Sequence, residues 1–144
     1  MIALDTNLLV YAHRAEMPFH EVARRCVAAL AESSAPWAIP WPCIHEFCSV
    51  ATNPRIFKPP TPLAGATRQV DSWLESPSLV LLNESPTHWS TLRSLIASSG
   101  VRGATVHDAR IAAICLDHGV RELWSADRDF TRFPTLTVRN PLVG

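Results

Sequence analysis

Ile2-Ala3-Leu4 runs straight into Asp5-Thr6-Asn7, and near the other end of the chain Glu122-Leu123-Trp124 runs into Ser125-Ala126-Asp127. Each stretch reads as a short strand that stops at a carboxylate. A run too short for a helix, with no alternation, is the pattern of a strand covered on both faces. A turn acid after a strand is common for local reasons alone. Two such strands in one sheet, however, would open onto the same rim.

The segments between them alternate. Residues 18–33 open with Pro18 and repeat apolar residues at Val22, Cys26, Ala29 and Leu30, which predicts a helix. Trp37-Ala38-Ile39 predicts a strand, and 43–52 a helix ended by Asn53-Pro54. The Pro-rich, basic stretch 54–62 is a loop. Helix 63–75, strand 79–82 and helix 87–98 follow; Gly100 and Gly103 flank a turn. Helix 105–118 is stopped by Gly119, and residues 136–138 form the last strand. Short apolar strands alternating with amphipathic helices imply an α/β fold, a three-layer α/β/α sandwich around a mostly parallel sheet. In such folds ligands gather at the carboxyl ends of the strands.

The 144 residues fit one domain, 1–144, and 47% apolar content is enough for a core without staples. No apolar run approaches the roughly 20 residues of a membrane span. The N-terminus lacks the basic lead of a signal peptide. Cys26, Cys43, Cys48 and Cys115 are scattered, as expected of reduced thiols in a cytoplasmic protein.

Two further acids point inward. On helix 105–118 the polar residues Arg110 and Asp117 form a narrow stripe, and Asp108 lies opposite, in line with Ile111, Ala112 and Cys115. A carboxylate heading an apolar face is expensive unless it has a purpose. The local alternative is a capping box from Thr105 to Asp108. Glu46 leans the same way between Cys43 and Val50, an exposed Glu being nearly as good a reading. Carboxylates gathered in one pocket repel unless a cation compensates, and all-oxygen sites suit hard divalent ions. His13, His20, His45, His88, His107 and His118 have no H-x-x-E or H-E-x-x-H spacing and are expected to be isolated.

Asp5-Thr6-Asn7, Glu46, the run Val106-His107-Asp108-Ala109-Arg110-Ile111-Ala112-Ala113 and Ser125-Ala126-Asp127-Arg128-Asp129-Phe130 occur in an order that resembles PIN domains, and more closely VapC-like toxins. The resemblance covers essentially the whole chain, to Arg132-Phe133-Pro134 and Asn140-Pro141-Leu142. It implies a PIN-like fold and an endoribonuclease using Mg²⁺ or Mn²⁺. Asp5, Glu46, Asp108 and Asp127 would then be catalytic and metal-binding, with Asp129 auxiliary. Thr6, Asn7 and Ser125 would orient them; Ser125 stands where many relatives have Thr. A homodimer, a single-stranded or looped RNA substrate and an antitoxin whose segment blocks the acidic groove are also implied; our expectation is that a basic antitoxin side chain competes with the metal there.

The net charge is zero, but those five acids leave eight others against thirteen basic residues, twelve of them Arg. Arg forks suit phosphate, although an ordinary solvated surface explains the count equally well. Arg14, Arg55, Lys58, Arg128 and Arg132 flank the acidic motifs or lie in the basic loop, and are the candidates for RNA contact. A receiver or phosphotransfer module also uses a carboxylate–Mg²⁺ pocket, but wants a paired acid after the first strand and a late lysine. Asp5 has no acidic neighbour, and Lys58 is the sole lysine. A dehalogenase-type phosphatase wants D-x-D, and position 7 is Asn. A catalytically silent PIN-like binding module remains the other reading.

Overall fold

The computed structural model describes residues 1–144. Five strands form one sheet: β1 (Ile2–Leu4), β2 (Trp37–Pro40), β3 (Leu79–Leu82), β4 (Glu122–Trp124) and β5 (Val138–Arg139). Their order is β3-β2-β1-β4-β5, and every pairing is parallel. The six α-helices are α1 (Thr6–His13), α2 (His20–Glu32), α3 (Trp41–Ala51), α4 (Leu63–Leu74), α5 (His88–Ser99) and α6 (Val106–Asp117). The chain runs from β1 outward to β3 and then back to β4; with the right-handed crossovers that parallel strands follow as a rule, α1–α4 cover one face and α5–α6 the other. The result is the expected three-layer sandwich.

The core is what the apolar runs predict. Ala3, Leu4, Trp37, Ala38, Ile39 and Leu123 are buried in the central strands. On the α1–α4 face, three helices meet through aromatic edges. Phe47 of α3 lies 4.8 Å from the Trp73 ring of α4 and 5.2 Å from the His13 ring of α1, both edge-on. Edge-to-face pairs add to the burial of their area.

Several boundaries move, for local reasons. Helix α2 starts at His20 because Phe19 adopts φ 63°, so Pro18 lies outside it. Helix α3 begins two residues early, at Trp41, since Pro42 is tolerated in a first turn. Before α6, Gly103–Thr105 forms a 3₁₀ turn, with Gly103 at φ 63°. The last strand is Val138–Arg139, not 136–138, because Leu136 turns into the core behind Phe133.

Phe47→Ala removes the ring that joins three helices, and truncations of this kind cost about 3–5 kcal/mol. Chemical denaturation is expected to register that loss; a change under about 1 kcal/mol would contradict this packing.

Candidate active site

The sheet order reverses between β1 and β4, so their carboxyl ends frame the crevice where α/β folds bind ligands. Leu4 pairs with Trp124, and the residues that follow each strand therefore stand side by side. Asp5 N–H donates to the Trp124 carbonyl at 3.0 Å. Ser125 Oγ donates to Asp5 Oδ2 at 2.7 Å, and Asn7 Nδ2 donates to the same oxygen at 3.1 Å. Asn7 also reaches Ser125 Oγ at 3.1 Å, while its Oδ1 accepts from Ala126 N–H at 3.1 Å. The other Asp5 oxygen accepts from Thr6 N–H at 2.8 Å, with Cys43 Sγ 3.7 Å away. Asp5 thus caps α1 and buttresses the β1–β4 junction at once.

Asp127 caps the next turn, Arg128–Arg132, its Oδ1 accepting from Asp129 N–H at 2.8 Å. Asp127 N–H in turn donates to Ser125 Oγ at 2.9 Å. The turn role that sequence reading allowed for both acids is therefore real, and it coexists with their convergence. For Asp108 the local alternative is absent. Thr105 Oγ1 closes on the Arg102 carbonyl at 2.7 Å and accepts from Arg102 N–H at 3.2 Å, with no capping bond to α6.

One cavity of about 230 Å³ brings the pieces together, lined by Asp5, Thr6, Asn7, Glu46, Asp108 and Asp127. The carboxylates come from the ends of β1 and β4 and from α3 and α6. Oxygen atoms of Asp108, Asp127 and Asp129 lie within 4.8 Å of one another; Asp5 and Glu46 stand outside that closest trio. Ser125 is buried beneath.

Burial raises the proton affinity of Asp5 above the usual carboxylate range, partly offset by its bonds from Ser125 and Thr6. Glu46 is raised by loss of hydration and by the Asp5 charge. Asp108 goes furthest, pushed up to about 6 by loss of hydration and then by Asp127, Asp5, Asp129 and Glu46. These four charges are all of its own sign. The donors are all oxygen, three of them close together, and the Thr6 hydroxyl is buried in the cavity wall without a hydrogen-bond partner. That set fits a hard divalent cation.

The basic candidates divide. Arg14 pairs with Glu16, bonds the Pro59 carbonyl at 2.9 Å and Thr61 Oγ1 at 3.1 Å, and stacks 4.3 Å over Phe57. Its guanidinium is engaged in holding the 54–62 loop. Arg55, Lys58, Arg128 and Arg132 are exposed and form no ion pair. Sequence reading missed the apolar half of the cavity, made by Val10, Tyr11, Met17, Val50, Ile56 and Phe57. Val50, on the stripe of Glu46, and Ile111, on that of Asp108, were its visible traces.

The PIN domain profile matches residues 2–136. Ribonuclease VapC43 of Mycobacterium tuberculosis is 37% identical over 144 residues, covering 100% of this chain and 97% of its own. Ribonuclease VapC31 of the same species is 35% identical over 143 residues, 99% of this chain and 100% of its own. The fold is similar to that of VapBC2 from Rickettsia felis, solved bound to a DNA fragment from its promoter (TM-score 0.69, 21% identity, 97% of this chain and 98% of that one). It is also similar to VapC20 of M. tuberculosis, a sarcin–ricin loop cleaving toxin (TM-score 0.68, 15% identity, 91% and 93%).

Because folding raises the Asp108 pKa, its contribution to stability is complete below the unfolded value near 3.8 and is lost as pH rises through about 6. In EDTA, Asp108→Asn, which keeps the shape and cannot ionise, is expected to be more stable than the parent at pH 7.5. The gain is about 1 kcal/mol once partial exposure is discounted. At pH 4 the advantage disappears. Equal unfolding midpoints at pH 7.5 would remove the repulsion from the account.

Proposed function

Since this chain belongs to the PIN-domain family, in its VapC branch, we propose that it is a divalent-metal-dependent endoribonuclease, the toxin of a toxin–antitoxin module. The observation that carries the reading is the meeting of Asp5, Glu46, Asp108 and Asp127 in one crevice at the point where the sheet order reverses. These four are the proposed catalytic acids. Asp108, Asp127 and Asp129 are the closest donors for Mg²⁺ or Mn²⁺, with Asp5 and Glu46 completing the charge. A bound cation of this kind supplies an acidified water and neutralises charge at the scissile phosphate.

The chain's own groups have distinct tasks in this scheme. Ser125 and Asn7 hold Asp5 Oδ2, and Thr6 N–H holds Oδ1, so that carboxylate cannot rotate. Fixing ligand orientation in this way is a general feature of metal sites. Asp127 is held through its Oδ1 by Asp129 N–H. Hydrolysis needs one group to take a proton from the attacking water and another to supply one to the departing oxygen. The carboxyl of Asp108, pushed up to about 6 in the metal-free crevice, would give up that proton when a cation binds and serves here as a ligand, leaving the proton transfers to water.

The apolar wall of the crevice suits an antitoxin segment that carries a basic side chain toward the acids, competing with the metal. By the family likeness the chain acts as one domain, as a homodimer, in the cytoplasm. No helix is long and apolar enough to cross a membrane. Exposed Leu63 and Leu74 on α4 and Trp89 on α5 are apolar surface available for such contacts.

Purified protein is expected to cut single-stranded or looped RNA with Mg²⁺ or Mn²⁺, and EDTA or Asp5→Asn should abolish cleavage. RNA binding without cleavage under any of these conditions would favour the silent binding module instead. Millimolar Mg²⁺ is expected to raise the melting temperature more at pH 7.5 than at pH 5, because uptake displaces the Asp108 proton. Undiminished cleavage after chelation would reject the metal requirement.

A further inference from the structure

We propose that the cleft beside the carboxylate crevice, lined by His45 and Ser49 of α3 and His107 and Arg110 of α6, is a second phosphate site that holds a phosphodiester flanking the scissile one. The inference rests on the ribonuclease reading and extends it by giving the substrate a path.

The cleft has a volume of about 300 Å³ and shares Glu46 and Ile111 with the carboxylate crevice, so the two are adjoining compartments. Their chemistry is opposite. One side of Glu46 presents carboxylates; the other presents N–H and O–H donors. His45 and Ser49 are four apart on α3, and His107 and Arg110 three apart on α6, so each helix offers a neighbouring pair along one face. The His45 ring lies 6.0 Å from that of Trp41, tilted by 34°. The side chains of His45, Ser49 and His107 form no hydrogen bond within the protein, and His45, Ser49 and His107 are exposed.

Arg110 alone is engaged, through Nε to Glu84 Oε1 at 2.7 Å and Nη2 at 2.6 Å, and both side chains are more than a third exposed. Exposed pairs of this kind are worth little and exchange readily for a better anion. A guanidinium forks onto phosphate, and imidazole and hydroxyl donors position it without reading sequence. An acidic centre repels the polyanion it must cut. Donors next door offset that repulsion where the strand passes.

The test uses a fluorescein-labelled, mixed-sequence single-stranded RNA, with binding followed by anisotropy in EDTA and cleavage of the same RNA followed in Mg²⁺. Arg110→Ala is expected to weaken binding roughly fivefold and to flatten the slope of log affinity against log salt by about 0.7, the value of one single-strand phosphate contact. His45→Ala with His107→Ala should weaken it further, and Arg110→Lys should recover part of the loss. Glu84→Gln separates the proposal from a structural role. If Arg110 acts only by pairing with Glu84, the two variants behave alike; if it holds phosphate, Glu84→Gln binds RNA as tightly as the parent or more so. Arg93→Ala, an exposed charge on α5, controls for net charge. Unchanged affinity and salt slope in the cleft variants, with a parent that binds and cuts RNA, would overturn the second site alone. A parent that neither binds nor cuts RNA would remove the ribonuclease reading and this site with it.

Discussion

The hydrogen bond from Ser125 to Asp5 spans 120 residues of sequence and joins the ends of two adjacent parallel strands. Around it the fold tolerates what it otherwise avoids, a carboxylate in a nearly dry setting. Burying that group costs free energy that only specific donors offset. Thr6, Asn7 and Ser125 provide them, and Asn7 ties the two strand ends a second time through Ala126. The remaining acids then gather about a fixed point. Mutual repulsion adds to the loss of hydration, most of all at Asp108, which is raised by Asp127, Asp5, Asp129 and Glu46 together.

Much of this arrangement is legible in the chain because strand ends and helix faces are local properties. Ile2-Ala3-Leu4 stopped by Asp5, and Leu123-Trp124 followed within three residues by Asp127, mark the strand ends, and Asp108 in line with Ile111, Ala112 and Cys115 marks an inward carboxylate. Side-by-side pairing of β1 with β4 is not local. It follows from the handedness of crossovers and the packing of six helices, and no spacing rule encodes it. The apolar half of the crevice escaped for the same reason. Val10, Val50 and Ile56 look like ordinary core or loop residues until the elements that carry them meet. Arg14 escaped differently: its sequence neighbourhood speaks of a basic surface, while its partners Pro59 and Thr61 lie more than forty residues away.

The crevice is therefore two-natured. Its floor is acidic, with Asp5 and Asp127 fixed by backbone bonds and caps; its apolar wall is assembled from α1, α3, α6 and the loops that carry Met17, Ile56 and Phe57. Ionic and apolar ligands would be judged by separate surfaces that touch along a line of residues from Thr6 to Ile111. Two of the histidines, His45 and His107, unremarkable as motifs, fall just outside that line with the opposite chemistry.

Helix α1 begins at the Asp5 cap and ends at Arg14, whose side chain grips the loop that carries Ile56 and Phe57. Eight residues of helix are about 12 Å long, and a helix resists stretching. The two banks of the crevice are in this way bolted to opposite ends of one stiff strut. A guest that pries the loop outward pulls on the same rod that aims the buried acid, so the width of the opening and the alignment of its floor cannot be adjusted independently.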